Sequence, residues 1–276
     1  MTGNPARLFL GVAVAATLVA ACSAAPDIGA PPAPQETSIN QSAPVESLPA
    51  LAGGSAPAAT ATPAPIPTAT PTTGPQPFAF NLYEEGDFVP QYTFEWCVAA
   101  SIQMAHNLVQ QRGADTWAGQ AQQGELWDMA RVRSSNAFNG ANPMGWAAVL
   151  GEVGMGPYQV VSIPDYEDAL RTAARAMADT GRPVGLVMWS GRHAWVMSGF
   201  DSFGDPRMHQ DFQVTGIRVM DPLYPYGSGQ WGPSPAPNTL LTPEQLATQF
   251  VVREPRRWSS EMPAGYMLVM PRQVGP

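Results

Sequence analysis

From Ser23 to Pro77 the chain is built almost entirely of Ala, Pro, Ser and Thr, and it contains no aromatic residue. Such a stretch cannot bury enough apolar surface to offset the entropy of ordering it. Every tryptophan and tyrosine, and every phenylalanine except Phe9, lies beyond it. A hydrophobic core is therefore confined to residues 78–276, the size of one ordinary domain. The organisation expected is a leader over 1–22, a disordered tether over 23–77 and one folded domain over 78–276. At about 3.1 Å per residue for extended Pro-rich chain, the tether spans up to roughly 150 Å.

Leu8 to Ala21 is nearly all apolar and follows a short start carrying Arg7. It is shorter than the roughly 20 residues needed to cross a bilayer, and small residues precede Cys22, so it reads as an export signal. The ending Leu18-Val19-Ala20-Ala21-Cys22 resembles the lipobox of bacterial lipoproteins. That resemblance implies lipidation of Cys22 and attachment to the outer face of the cytoplasmic membrane or the cell envelope; the competing reading is ordinary cleavage after Ala21 or Ala25. Residues 78–276 carry no lysine, thirteen arginines and nineteen carboxylates, a net charge of −6. An acidic surface with no basic stripe argues against nucleic acid as a partner.

Hydrophobic spacing predicts helices over 97–112 (Val98, Ile102, Ala105 and Val109 inward, Gly113 closing), Gln120–Arg131, Met144–Val153 and Asp165–Asp179. Strands are predicted at Val184–Trp189, His193–Phe200, Val214–Met220 and Tyr266–Met270, with a short helix at Pro243–Phe250 begun by Thr242. Helices first and strands later is the α+β pattern, with helices packed on one side of a mainly antiparallel sheet.

Apart from Cys22, Cys97 is the only cysteine. It has no partner for an intramolecular disulfide, and an exported protein that retains one thiol invites a use for it. It opens a predicted helix, where free N–H groups and the dipole favour thiolate. His193 follows on a predicted strand after a Ser-Gly loop, and Asp221 ends the next strand before Pro222. The bland readings are a buried small hydrophobe, a core histidine and a turn former. Gln91, six residues before Cys97, reads locally as a loop residue after Pro90. Trp189 and Trp195 flank His193, and Trp195 either walls a cleft or packs in the core, the second being the commoner fate of such an indole. His106 stands about 180° round the helix from Cys97 and is expected at the surface or as a cap, and His209 is expected in solvent. No HxxxH or CxxC spacing is present, so neither a metal site nor a cofactor is expected.

Gln91…Trp96-Cys97 with its helix, then Gly191-Arg192-His193-Ala194-Trp195-Val196, then Val219-Met220-Asp221-Pro222, resembles the C39-like branch of the papain-like cysteine peptidases over roughly Pro90 to Pro222. The resemblance implies a papain-like fold with Cys97 as nucleophile, His193 as general base and acid, and Asp221 holding the imidazole. It assigns Gln91 and the Cys97 N–H to the oxyanion hole, and a peptide or protein as substrate. Trp96, Gly191 and Trp195, which flank these positions, are the candidate substrate-binding residues. The insertion Asp201–Asp211 departs from the family pattern and leaves Asp201, Asp205 and Asp211 as rivals of Asp221. No fused transporter is evident, so the leader-peptide substrate of the bacteriocin-processing members does not carry over. Two other functions fit the sequence: a cell-wall amidase or endopeptidase, and a weakly catalytic or non-catalytic surface binding module on the same scaffold.

Overall fold

Three helices begin where a short polar side chain takes over the free N–H groups of the first turn. In the computed structural model of the chain, which describes residues 74–110, 116–134, 140–255 and 262–273, these caps are Asn142, Asp165 and Thr242. Asn142 accepts from the Met144 and Gly145 amides, and Asp165 from that of Asp168 at 2.9 Å. Thr242 forms a reciprocal capping box with Gln245. The export segment, Cys22, nearly all of the tether and the expected cap Gly113 lie outside the described residues.

The helices are α1 (Cys97–Val109), α2 (Gln120–Val132), α3 (Pro143–Leu150), α4 (Tyr166–Thr180) and α5 (Pro243–Ala247). A π-helical turn, Gly151–Met155, extends α3. The larger strands are β1 (Pro77–Asn81), β2 (Tyr158–Ile163), β3 (Val184–Met188), β4 (His193–Phe203) and β5 (Gln213–Met220). The two-residue strands β6 (Gly227–Ser228) and β7 (Gly232–Pro233) form a separate small ribbon, and β8 (Thr239–Leu241) and β9 (Tyr266–Pro271) complete the set.

Among the described residues seven strands form one sheet in the order β2-β9-β3-β4-β5-β8, with β1 also paired to β4, and every pairing is antiparallel. The chain is thus α+β. Side chains alternate between the faces as the pleat requires. Val187, Ala194 and Val196 join α1, α2 and α3 in one core, whereas Leu186, Trp195 and Met197 join α4 and α5 in another. The one-sided arrangement expected from the sequence is therefore corrected. The five residues of β3 are all buried, because helices cover both faces, and such a strand reads as an unbroken apolar run that does not reveal its two-sidedness.

β1 was not expected, and it begins at Pro77, one residue before the expected start of the domain. Phe78 and Phe80 bring their rings to 5.9 and 5.8 Å from that of Phe200, while the backbone pairs residue by residue with Gly199 to Phe203. That pairing lengthens β4 to Phe203, so Asp201 belongs to a strand rather than to the expected polar loop. There it meets Arg218 of β5 at 3.4 Å. α1 ends at Val109, earlier than predicted, and Val109 is exposed.

Candidate active site

α1 carries no side-chain N-cap; Trp96 occupies that position, and Cys97 is the first helical residue. The N–H groups of the first turn therefore remain without a side-chain acceptor, at the positive end of the helix dipole. The helix is held in place by buried polar contacts as well as apolar packing. Ser101 donates to the Ala194 carbonyl on β4 at 3.4 Å. Gln103 accepts from Gln123 of α2 at 2.7 Å. Asn107 binds the Trp117 backbone and the Asp87 carbonyl.

His193 opens β4 with its ring buried, and it lines one cleft with Cys97, close enough for the two to interact electrostatically. Nε2 lies 2.6 Å from Asp221 Oδ1, which leaves Nδ1 as the ring nitrogen for the thiol. Asp221 lies just past the end of β5, which pairs with β4. It is fully buried, and the same Oδ1 accepts from the Leu223 amide at 2.9 Å. Burial alone would lower the His193 pKa; the hydrogen bond it donates to Asp221 and its interaction with Cys97 outweigh that and push the value up to about 9.

The three rival carboxylates lie elsewhere. Asp201 faces Arg218, Asp205 is paired with Arg207 at 2.7 Å, and Asp211 lines a groove with Arg171 and Arg175. Only Asp221, of the four, touches the imidazole.

Gln91 is joined to this site through the backbone, its N–H donating to the Pro222 carbonyl at 2.8 Å. One N–H of its side-chain amide donates to the Thr93 carbonyl at 2.9 Å, which leaves the second for another acceptor. Gln123 grips both neighbours of Gln91, accepting from the Tyr92 amide and donating to the Pro90 carbonyl, while it also binds Gln103 on α1. Nothing in the local sequence marked Gln123, because its partners lie 20 to 33 residues away.

A cleft of about 360 Å³ begins at Cys97 and His193. Its walls are mainly apolar, with Trp127 of α2, Trp146 of α3, Pro143, Ala141 and Val187 facing it, and Glu95 and Arg192 bringing opposite charges. Phe94, which also lines it, is almost wholly exposed. Trp146 sits so close to the sheet that a Cβ on Gly185 would come within 2.4 Å of its ring; only glycine allows that approach. Gly191 lines the cleft as expected, with φ +92, a conformation glycine adopts without strain.

Two of the expected substrate-binding side chains do not line this cleft. Trp195 has no exposed surface and packs with Met177, Met197 and Phe200 in the core beneath α4. Trp96 packs against α2, where a Cβ on Gly124 would stand 3.2 Å from its ring. The aromatic walls come instead from Trp127 and Trp146, which sequence reasoning did not single out. His106 is also corrected: it is buried, its ring stacked on Trp117 at 3.7 Å. Its orientation away from the thiol directs it against another element rather than into water.

Trp189, next to a loop the sequence pointed to, stacks on the His193 ring at 4.1 Å. Gln249 holds it from a segment 60 residues away. Among the described residues no group of three or more metal-ligating side chains comes together, and no helix is long and apolar enough to cross a membrane. No protein-family model matches the chain, and no curated protein matches it in sequence.

Proposed function

We propose that this chain is an exported cysteine hydrolase of papain-like fold that cleaves amide bonds, peptide bonds foremost. One observation carries the reading: Cys97 and His193 meet in one apolar cleft, with Asp221 hydrogen-bonded to the far side of the imidazole and the thiol on the first turn of an uncapped helix. A buried imidazole held between a carboxylate and a thiol supports the thiolate by ion pairing. The Cys97 sulfur attacks the substrate carbonyl carbon, and the oxygen gathers negative charge near the Cys97 N–H and the second amide N–H of Gln91. The C–N bond breaks as the imidazolium gives its proton to the leaving amine. A thioester on Cys97 remains. Water, losing a proton to His193, attacks that thioester and releases the acid, and the proton returns to the Cys97–His193 pair. The walls of Trp127, Trp146 and Pro143 suit an apolar side chain beside the scissile bond.

The leader and tether extend the proposal to a protein lipidated on Cys22 and carried outside the membrane, with peptide or protein as substrate. The test is labelling of Cys97 by a thiol-reactive electrophile across pH. Rapid labelling at neutral pH, lost in His193→Ala, is the expected result; labelling confined to pH above about 8.5, the range of a free thiol, would instead mark a binding module.

A further inference from the structure

The connection between β3 and β4 is unusual for its residues. Trp189 and Ser190 occupy the two central positions of a turn with φ +55 and +56, closed by the Gly191 amide donating to the Met188 carbonyl at 3.0 Å. Turns of this hand suit twisted hairpins but favour Asn and Gly, because side chains with a Cβ are strained there. A bulky indole in that conformation needs surroundings that hold it. They come from one segment after α5. Gln249 takes both N–H groups of Trp189, its carbonyl accepting from the backbone amide at 3.0 Å and its Oε1 from the indole at 2.9 Å. Ser190 donates to the Val252 carbonyl at 3.1 Å, and Arg253 lies against Gly191. The indole so held lies nearly parallel to the His193 ring, 19° between planes, and neither Trp189 nor Gln249 lines the cleft.

We infer that Trp189 and Gln249 are positioning residues that together hold the His193 ring in the plane from which it meets Cys97. The inference rests on His193 being the base of Cys97. Asp221 fixes the ring at one nitrogen, and a single hydrogen bond leaves it free to tilt about that contact. The stacked indole removes the tilt, and Gln249 removes the freedom of the indole. Trp189 and Gln249 carry no titratable group. The groups whose protonation acts on His193 are Cys97 from α1 and Asp221 beyond β5; Arg192 beside it is exposed, and Arg253 of the clamping segment contacts the hairpin at Gly191. A change in the pH dependence of Cys97 caused by Trp189 or Gln249 therefore comes from geometry and burial.

The test is the rate of Cys97 alkylation by iodoacetamide as a function of pH in the purified full chain, which requires no substrate. Trp189→Phe keeps a stacking ring but loses the N–H, and Gln249→Leu keeps volume but strands the indole N–H. Each is expected to slow alkylation at pH 6.5 by about threefold to tenfold, at a temperature well below its melting point. The double variant, with neither partner left unsatisfied, is expected to alkylate at least as fast as Gln249→Leu alone. Should one single variant fail to fold, the other carries the test. Unchanged alkylation profiles in folded single variants overturn the inference and leave the proposed enzyme standing, as does a double variant whose loss is the product of the two single losses. Alkylation of the native chain only above about pH 8.5 overturns the proposed enzyme itself.

Discussion

α1 and α4 pack on opposite faces of the same sheet, and their buried surfaces differ in kind. α4 buries Ala169, Leu170, Ala173, Ala174, Met177 and Ala178 and no polar residue. α1 is buried nearly all round and includes Ser101, Gln103, His106 and Asn107. An apolar stripe against a sheet is held by area, which tolerates small shifts. Buried polar groups must meet particular partners at hydrogen-bond distance, so they set position. The helix that carries the sulfur carries a buried polar network as well, and α4, which closes the other core, does not.

The sharpest way to break this comparison is to remove one group from each side. Cys97→Ala is expected to abolish hydrolysis, by about 10³-fold or more, with the melting temperature unchanged. Met177→Ala, in the core under α4, is expected to destabilise by about 2–5 kcal/mol and to leave turnover per folded molecule unaltered. Loss of kcat in folded Met177→Ala, measured beside its unfolding curve, would mean that the two faces are coupled.

A second effect belongs to the orienting carboxylate. Asp221→Asn is expected to lower turnover by about 10²- to 10⁴-fold in a folded protein, whereas Asp201→Asn, Asp205→Asn and Asp211→Asn each stay within about twofold. A loss confined to one of the latter three would transfer the role.

Smaller again is the polar network itself. Gln123→Leu leaves the Tyr92 amide, the Pro90 carbonyl and Gln103 without their partner, and is expected to destabilise by about 1–3 kcal/mol. Turnover should also fall, by about tenfold, because the Gln91 segment and α1 lose their common tie. A stability loss without any kinetic change would reduce the network to ordinary packing.

The smallest effect is one of pH. The folded His193 pKa of about 9 stands above the ordinary 6.5, so the native state binds a proton that the unfolded chain releases between those values. The associated stabilisation is fully present below about pH 6.5 and fades as pH rises through 9. In thermal unfolding from pH 6 to pH 10, the native chain is expected to lose its advantage over Asp221→Asn by about 2–4 °C. A gap that widens with pH would reverse the assignment of the proton.

Much of the secondary structure was legible because it is local. The start of a helix at Asp165, the Ala-rich stripe of α4 and Thr242 as cap are decided within four residues of chain, the range over which a helix satisfies its own backbone. β1 escaped notice since Pro77–Asn81 follows a Pro-rich run and becomes a strand only when β4 lies beside it. Trp195 and Trp127 look alike as apolar positions on their elements. Which of them sees the cleft depends on which sheet face each helix covers.

The sequence by itself determined that the aromatic residues other than Phe9, and with them a core, lie beyond a Pro-rich stretch, that Cys97 heads a helix and that His193 opens a later strand with aspartates following it. Tertiary structure alone decided which of four aspartates reaches His193, that Trp189, held by Gln249, stacks on it, and that helices cover both faces. The physical reason is range. Caps and periodicity act over a few residues, but a contact across 28 or 60 residues is set by the order of strands in the sheet, and that order is fixed by the packing of the whole domain.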